Sequence, residues 1–113
     1  MNDLAARSCS ARKGPALSRD DAAALLAQVS GWTLDAQARE IRRTFAFANY
    51  YPTMAFVNAV AWIAHREDHH PELTVGYNKV TVAFSTHSVG GLSENDFICA
   101  AKIDALGSLQ GPR

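Results

Sequence analysis

Four histidines, His65, His69, His70 and His87, fall within 23 consecutive residues of a 113-residue chain, and the other ninety positions have none. Imidazole exchanges its proton near neutral pH, so a cluster of it marks a place to look for general acid–base chemistry. Within residues 51–77, Glu67, Asp68 and Glu72 stand against Arg66 alone. Together with the negative end of a helix predicted to finish near 68–70, these acids favour the protonated imidazole that a general acid requires.

Other chemistries compete for the same residues. His65 and His69 are four apart on the predicted helix and share a face there, which would suit a metal with His70 or His87 as third ligand. However, Glu67 is the second residue after His65, so HExxH is absent, and adjacent His69 and His70 cannot easily address one ion from a regular element. The expectation is a site without a metal. Nucleophilic catalysis lacks a candidate: Cys99 sits on a predicted apolar helical segment and reads as buried, and Ser85 and Ser88 have no nucleophile elbow around them. Asp96 fits either a helix cap or support for a site, and both readings stay open. Gly90-Gly91 precedes a helix start but lacks the GK[ST] that would make it a phosphate loop.

These residues need elements to position them. Ser18 is a candidate N-cap, followed by Asp20 and Asp21 and the helix formers Ala22–Val29, with Ser30-Gly31 as the stop. Trp32 and Leu34, then Ile41, Arg43, Phe45 and Phe47 at period two, predict a hairpin in which Arg43 interrupts the apolar face. Asn49 caps a second helix through Phe56, Val60 and Ile63, which must stop before Pro71. Met54, Phe56 and Trp62 on it are expected in the core or a subunit interface. Leu73, Val75 and Tyr77 form a strand, with Tyr77 packed in the sheet. An Asn78-Lys79 turn leads to Val80, Val82 and Phe84, with His87 ending the strand. Ser93-x-x-Asp96 matches a capping box for the last helix, whose apolar side is Phe97, Ile98, Ala101, Ala105 and Leu109.

The order helix-strand-strand-helix-strand-strand-helix predicts an α+β fold: a four-stranded antiparallel sheet with three helices packed on one face. Residues 1–17 have no periodicity and are expected to be a flexible N-terminal tail, leaving 18–110 as a single domain. Eleven basic and eleven acidic residues give no formal net charge, which argues against a nucleic-acid partner held by phosphate neutralisation. The longest apolar runs are too short to span a membrane. Cys9 and Cys99, ninety positions apart, form neither a disulfide framework nor a CxxC pair. With no secretory signal pattern at the N-terminus, a cytoplasmic location is the expectation.

The run Asp68-His69-His70-Pro71-Glu72, then Tyr77-Asn78-Lys79-Val80, then Ser85-Thr86-His87-Ser88-Val89-Gly90-Gly91-Leu92-Ser93 with Asp96, resembles the pterin-4a-carbinolamine dehydratases. Trp32, Phe45-x-Phe47 and Phe56-x-Asn58 extend the resemblance over about 18–109. It implies the same α+β fold and a dehydratase without metal or cofactor. Such an enzyme removes the hydroxyl of the carbinolamine (4a-hydroxytetrahydropterin) left by an aromatic amino-acid hydroxylase, yielding quinonoid dihydropterin in tetrahydrobiopterin recycling. The resemblance further implies that His69, His70 and His87 bind the pterin and supply acid–base catalysis, with His69 and His87 as proton-transfer groups and His70 orienting substrate. Asp68, Pro71, Ser85, Thr86 and Ser88 would complete the substrate pocket, with Asp96 supporting it. At the position of His65 family members often carry an acid. A homo-oligomer, dimer or tetramer, is also implied. A protein-binding regulator, the dimerisation-cofactor role of animal relatives, is the alternative on this fold.

Overall fold

A computed structural model of the chain describes residues 3–107. Its elements are α1 (Arg19–Leu26), β1 (Thr33–Leu34), β2 (Ile41–Ala46), α2 (Tyr50–Glu67), β3 (Glu72–Val75), β4 (Lys79–Phe84) and α3 (Glu94–Asp104), with single 3-10 turns at Leu4–Ala6 and His87–Val89. The four strands are antiparallel in the order β1-β2-β4-β3. The α+β architecture expected from the element order is the one observed.

Alternation decides which face of the sheet is covered. Ile41 and Phe45 of β2 and Val80, Val82 and Phe84 of β4 are buried, whereas Arg42, Thr44 and Ala46 are exposed. Thr53, Phe56, Val60 and Ala64 of α2 recur at helical spacing and are buried as well. Phe56 joins the two layers, with its ring centroid 4.6 Å from Phe45 and 5.1 Å from Phe47. Arg43, the interruption in the apolar face, lies over the Phe45 ring at 4.6 Å and pairs with Asp104 at 3.0 Å. Its guanidinium thus lies on the Phe45 ring while Nη1 reaches the end of α3.

Two helix boundaries matter for the site. Asn49 accepts from the Tyr51 amide and starts α2. At the other end Asp68 takes left-handed angles (φ 51°), and its amide and that of His69 both return to the last turn. Asp tolerates this conformation because its short polar side chain costs little there. The chain therefore leaves the helix at Asp68, and His69 no longer continues the face that carries His65.

Several expectations are corrected. Residues 3–17 do not hang free as a tail; they run along α3. Leu4 is buried in the main core, Lys102 Nζ donates to the Ala5 carbonyl at 2.8 Å, and the Leu17 amide donates to the Leu92 carbonyl at 2.8 Å. Leu4, with Ala5, Cys9 and Leu17 packed against the same core, and a few hydrogen bonds dock a segment that has no periodicity. Tyr77 is 64% exposed rather than packed in the sheet, stacking on Tyr50 at 6.2 Å. It sits in the β3–β4 turn, which is Tyr77-Asn78, closed by the Gly76 amide on the Lys79 carbonyl. Trp62 is 60% exposed, so of the two places expected for it the core is excluded. His87 does not end β4, which stops at Phe84; it opens the 3-10 turn that Gly90 (φ 70°) terminates. Leu109 lies outside the described residues.

Candidate active site

His69 is built into the protein from two sides. Its Nε2 lies 2.6 Å from Asp96 Oδ1, and its ring stacks on Phe84 with 5.7 Å between centroids and 7° between planes. Asp96 itself is fully buried. Its other oxygen, Oδ2, accepts from the Ser93 amide at 3.0 Å and from Thr86 Oγ1 at 2.8 Å. The Ser93 hydroxyl lies 2.7 Å from Thr86 Oγ1 and accepts from the Asn95 amide. Asp96 is therefore divided between two contacts: Oδ2 closes the capping box of α3, and Oδ1 meets the histidine.

This division of labour has a chemical consequence. A carboxylate only accepts hydrogen bonds, so Nε2 of His69 carries its proton toward Asp96. In the neutral ring Nδ1 is then left as the proton acceptor, and after protonation the imidazolium faces a buried carboxylate. The carboxylate is satisfied by three donors, which is what makes a fully buried charge tolerable.

His69 lines a cavity of about 610 Å³ together with Asp68, His70, Ser85, Thr86, His87 and Ser88. The expected substrate residues are thus brought together with one exception, Pro71, which is half-buried and not part of the lining. His70 and His87 are both exposed, in contrast to His69. Thr86 and Gly91 bridge across the loop between them, so the turn carrying His87 is folded back over the start of α3. His65 stands outside the cavity, its ring 6.2 Å from that of Trp62. Among the described residues no group of three His, Cys, Asp or Glu side chains is arranged to hold a metal.

A family model described as pterin 4 alpha carbinolamine dehydratase matches residues 15–106. The chain belongs to this family. A provisionally named pterin-4-alpha-carbinolamine dehydratase of Nitrosospira multiformis is 57% identical over 108 residues, 94% of each chain. One from Stenotrophomonas maltophilia carrying the same provisional name is 59% identical over 105 residues, covering 91% of this chain and 90% of that one. Among solved structures, a transcriptional coactivator/pterin dehydratase from Brucella melitensis superposes with a TM-score of 0.77 at 31% identity, over 85% of this chain and 99% of the other. A pterin dehydratase-like protein described as a RuBisCO assembly factor in the alpha-carboxysome gives a TM-score of 0.59 at 25% identity, over 74% and 93%.

In this dehydratase-family chain one wall of the cavity comes from residues that the sequence reading treated as tail. Cys9, Ser10, Ala11 and Arg12 line it, facing Arg66, Glu67 and Asn95. Asn95 brackets the segment: Oδ1 accepts from the Ser10 amide at 3.2 Å and from Arg12 Nε at 3.0 Å, while Nδ2 donates to the Ser10 carbonyl at 2.7 Å. The Cys9 amide donates to Glu67 Oε1 at 2.8 Å, and Ser88 Oγ donates to the Arg12 carbonyl at 3.0 Å. Gly91 is required nearby, because a Cβ there would come within 2.8 Å of Ala16. The available sequence signal was thin: isolated Leu4 and Cys9 in a polar stretch, and an Asn95 one residue before the capping acid.

Proposed function

We propose that this chain dehydrates a pterin 4a-carbinolamine to the quinonoid dihydropterin and water, with His69, His70 and His87 as the working groups. The observation that carries the reading is the buried Asp96–His69 pair at 2.6 Å on the wall of a polar cavity that also holds the other two histidines. A volume of about 610 Å³ lies in the range of small-molecule sites. His69 Nδ1 takes the proton from N5 of the pterin, and the imidazolium so formed is stabilised by Asp96. His87, open to solvent, gives a proton to the 4a-hydroxyl as the C4a–O bond breaks, and His70 orients the ring. Water leaves, and exchange with solvent resets both imidazoles. Protonating the leaving oxygen is work that imidazolium can do by itself, so the reading includes no metal or organic cofactor.

The physiological role that fits is tetrahydropterin recycling beside an aromatic amino-acid hydroxylase in the cytoplasm. The test is an assay in which the carbinolamine is generated enzymatically and its dehydration followed by absorbance. The wild type should accelerate it, and His69→Ala and His87→Ala should each remove most of the acceleration; no acceleration by the wild type overturns the reading.

A second reading, contact with protein, is favoured by Tyr51 at 83% and Trp62 at 60% exposure on α2. Large exposed aromatics are typical of surfaces that a partner covers. We infer self-association through this face, as a dimer or tetramer, and light scattering of the wild type and Trp62→Glu tests it. A monomeric wild type would turn the surface toward a different protein.

A further inference from the structure

Cys9 and Cys99, ninety residues apart, are both free thiols, and their sulfurs lie 3.5 Å from each other. Cys99 is fully buried on α3, one turn after Asp96. Cys9 is half-buried and reaches the cavity from the N-terminal segment. We propose that Cys9 and Cys99 are a redox-active dithiol that closes to an intramolecular disulfide under peroxide, covalently fastening the N-terminal segment to α3 beside the cavity. This inference does not depend on the dehydratase activity.

Geometry assigns the two roles. The hydrogen bond with Cys9 and burial together push the Cys99 thiol far up, so it stays protonated. Cys9, open to the cavity, is the sulfur a small oxidant reaches first. Its thiolate attacks one peroxide oxygen, the O–O bond breaks, and the departing oxygen takes up a proton as water, leaving Cys9 as a sulfenic acid. Cys99 then loses its proton as its sulfur attacks the Cys9 sulfur. The S–O bond breaks and a second water leaves. Two thiols have lost two electrons, and peroxide has been reduced to two waters.

The neighbours suit this reaction. Before oxidation, Cys9 Sγ also lies 3.6 Å from the Asn95 carbonyl, and its amide is tied to Glu67, so the segment is already held at the distance the second step needs. In a reducing compartment the pair rests as the dithiol, and an oxidant pulse converts it.

The experiment treats the full-length protein with hydrogen peroxide, then quenches it for thiol titration and non-reducing peptide mapping. Expected are loss of both free thiols, a Cys9–Cys99 cross-linked peptide pair, recovery of both thiols with dithiothreitol, and loss of tryptic cleavage after Arg12 and Lys13 in the oxidised form. Cys99→Ala should leave a Cys9 sulfenic acid that dimedone traps, and Cys9→Ser should leave Cys99 reduced. Circular dichroism of each variant separates misfolding from loss of chemistry. Disulfide-linked dimers through Cys9, sulfinic acid at Cys9 without a cross-link, or two persisting thiols in the wild type would each overturn the proposal.

Discussion

The cavity has two walls of different construction. On one side, His69, Asp96, Thr86 and Ser93 form a buried network in which both Asp96 oxygens, the two hydroxyls and His69 Nε2 each have a partner. On the other side, residues 9–12 are held by backbone hydrogen bonds to Asn95 and Glu67, and by half-exposed ion pairs from Arg7 and Arg12 to Glu94. The first wall cannot yield without leaving polar groups stranded in the core. The second can exchange its partners for water at little cost. A rigid wall suits an imidazole whose proton must sit on a fixed atom, and a lighter one suits a segment that lets molecules in.

The contrast can be broken most severely at Asp96. Asp96→Ala strands His69 Nε2, the Ser93 amide and the Thr86 hydroxyl, and should cost about 3 kcal/mol in urea unfolding. Dehydration should fall about 100-fold or more with it. Asp96→Asn keeps the shape and should lose activity while losing less stability; an Asp96→Asn protein with wild-type rate would break the link between the cap and the histidine.

On the lighter wall the apolar anchor should outweigh the charges. Leu4→Ala removes a side chain that is 1% exposed and should cost about 2 to 3 kcal/mol. Glu94→Gln breaks both arginine pairs and should cost less than about 1 kcal/mol. If the order were reversed, electrostatics and not burial would hold the segment down.

His70→Ala sharpens the comparison from within the site. An exposed imidazole should contribute within about 0.5 kcal/mol to stability, so activity should drop without a shift in the unfolding midpoint.

The smallest effect lies away from the cavity, at Asp104. Burial pushes its carboxyl up, against the opposing donors Trp32 and Arg43. The folded protein then holds this proton more tightly than the unfolded chain. Its contribution to stability therefore falls as pH rises from about 4, the ordinary Asp value, through the higher folded value. Asp104→Asn should flatten that part of the stability–pH curve, and an unchanged slope would count against the assignment.

Local rules carried much of the reading. The alternation of Ile41, Phe45 and Phe47 and of Val80, Val82 and Phe84, the spacing of Phe56 and Val60, and Ser93-x-x-Asp96 each state a backbone geometry within a few residues. That is why the α+β sheet and the capping box were legible. The ordered histidines, through their resemblance to a known family, also indicated where a site would lie, and the cavity gathers them. Tyr77 was misplaced, and the core was left open for Trp62, because an apolar side chain has the same periodicity whether a partner covers it or not. The face shared by His65 and His69 dissolved because one residue, Asp68, took left-handed angles.

By itself, then, the sequence determined the elements, their antiparallel pairing into hairpins, the family, and the cluster of histidines. These depend on neighbours a few residues apart or on motif spacing. Only the tertiary structure decided that Asp96 serves two masters with two oxygens, that residues 9–12 form a wall, and that two thiols ninety positions apart lie 3.5 Å from each other. Those are meetings between distant segments, brought about by burying Leu4 and packing α3 across the sheet, and no local pattern encodes them.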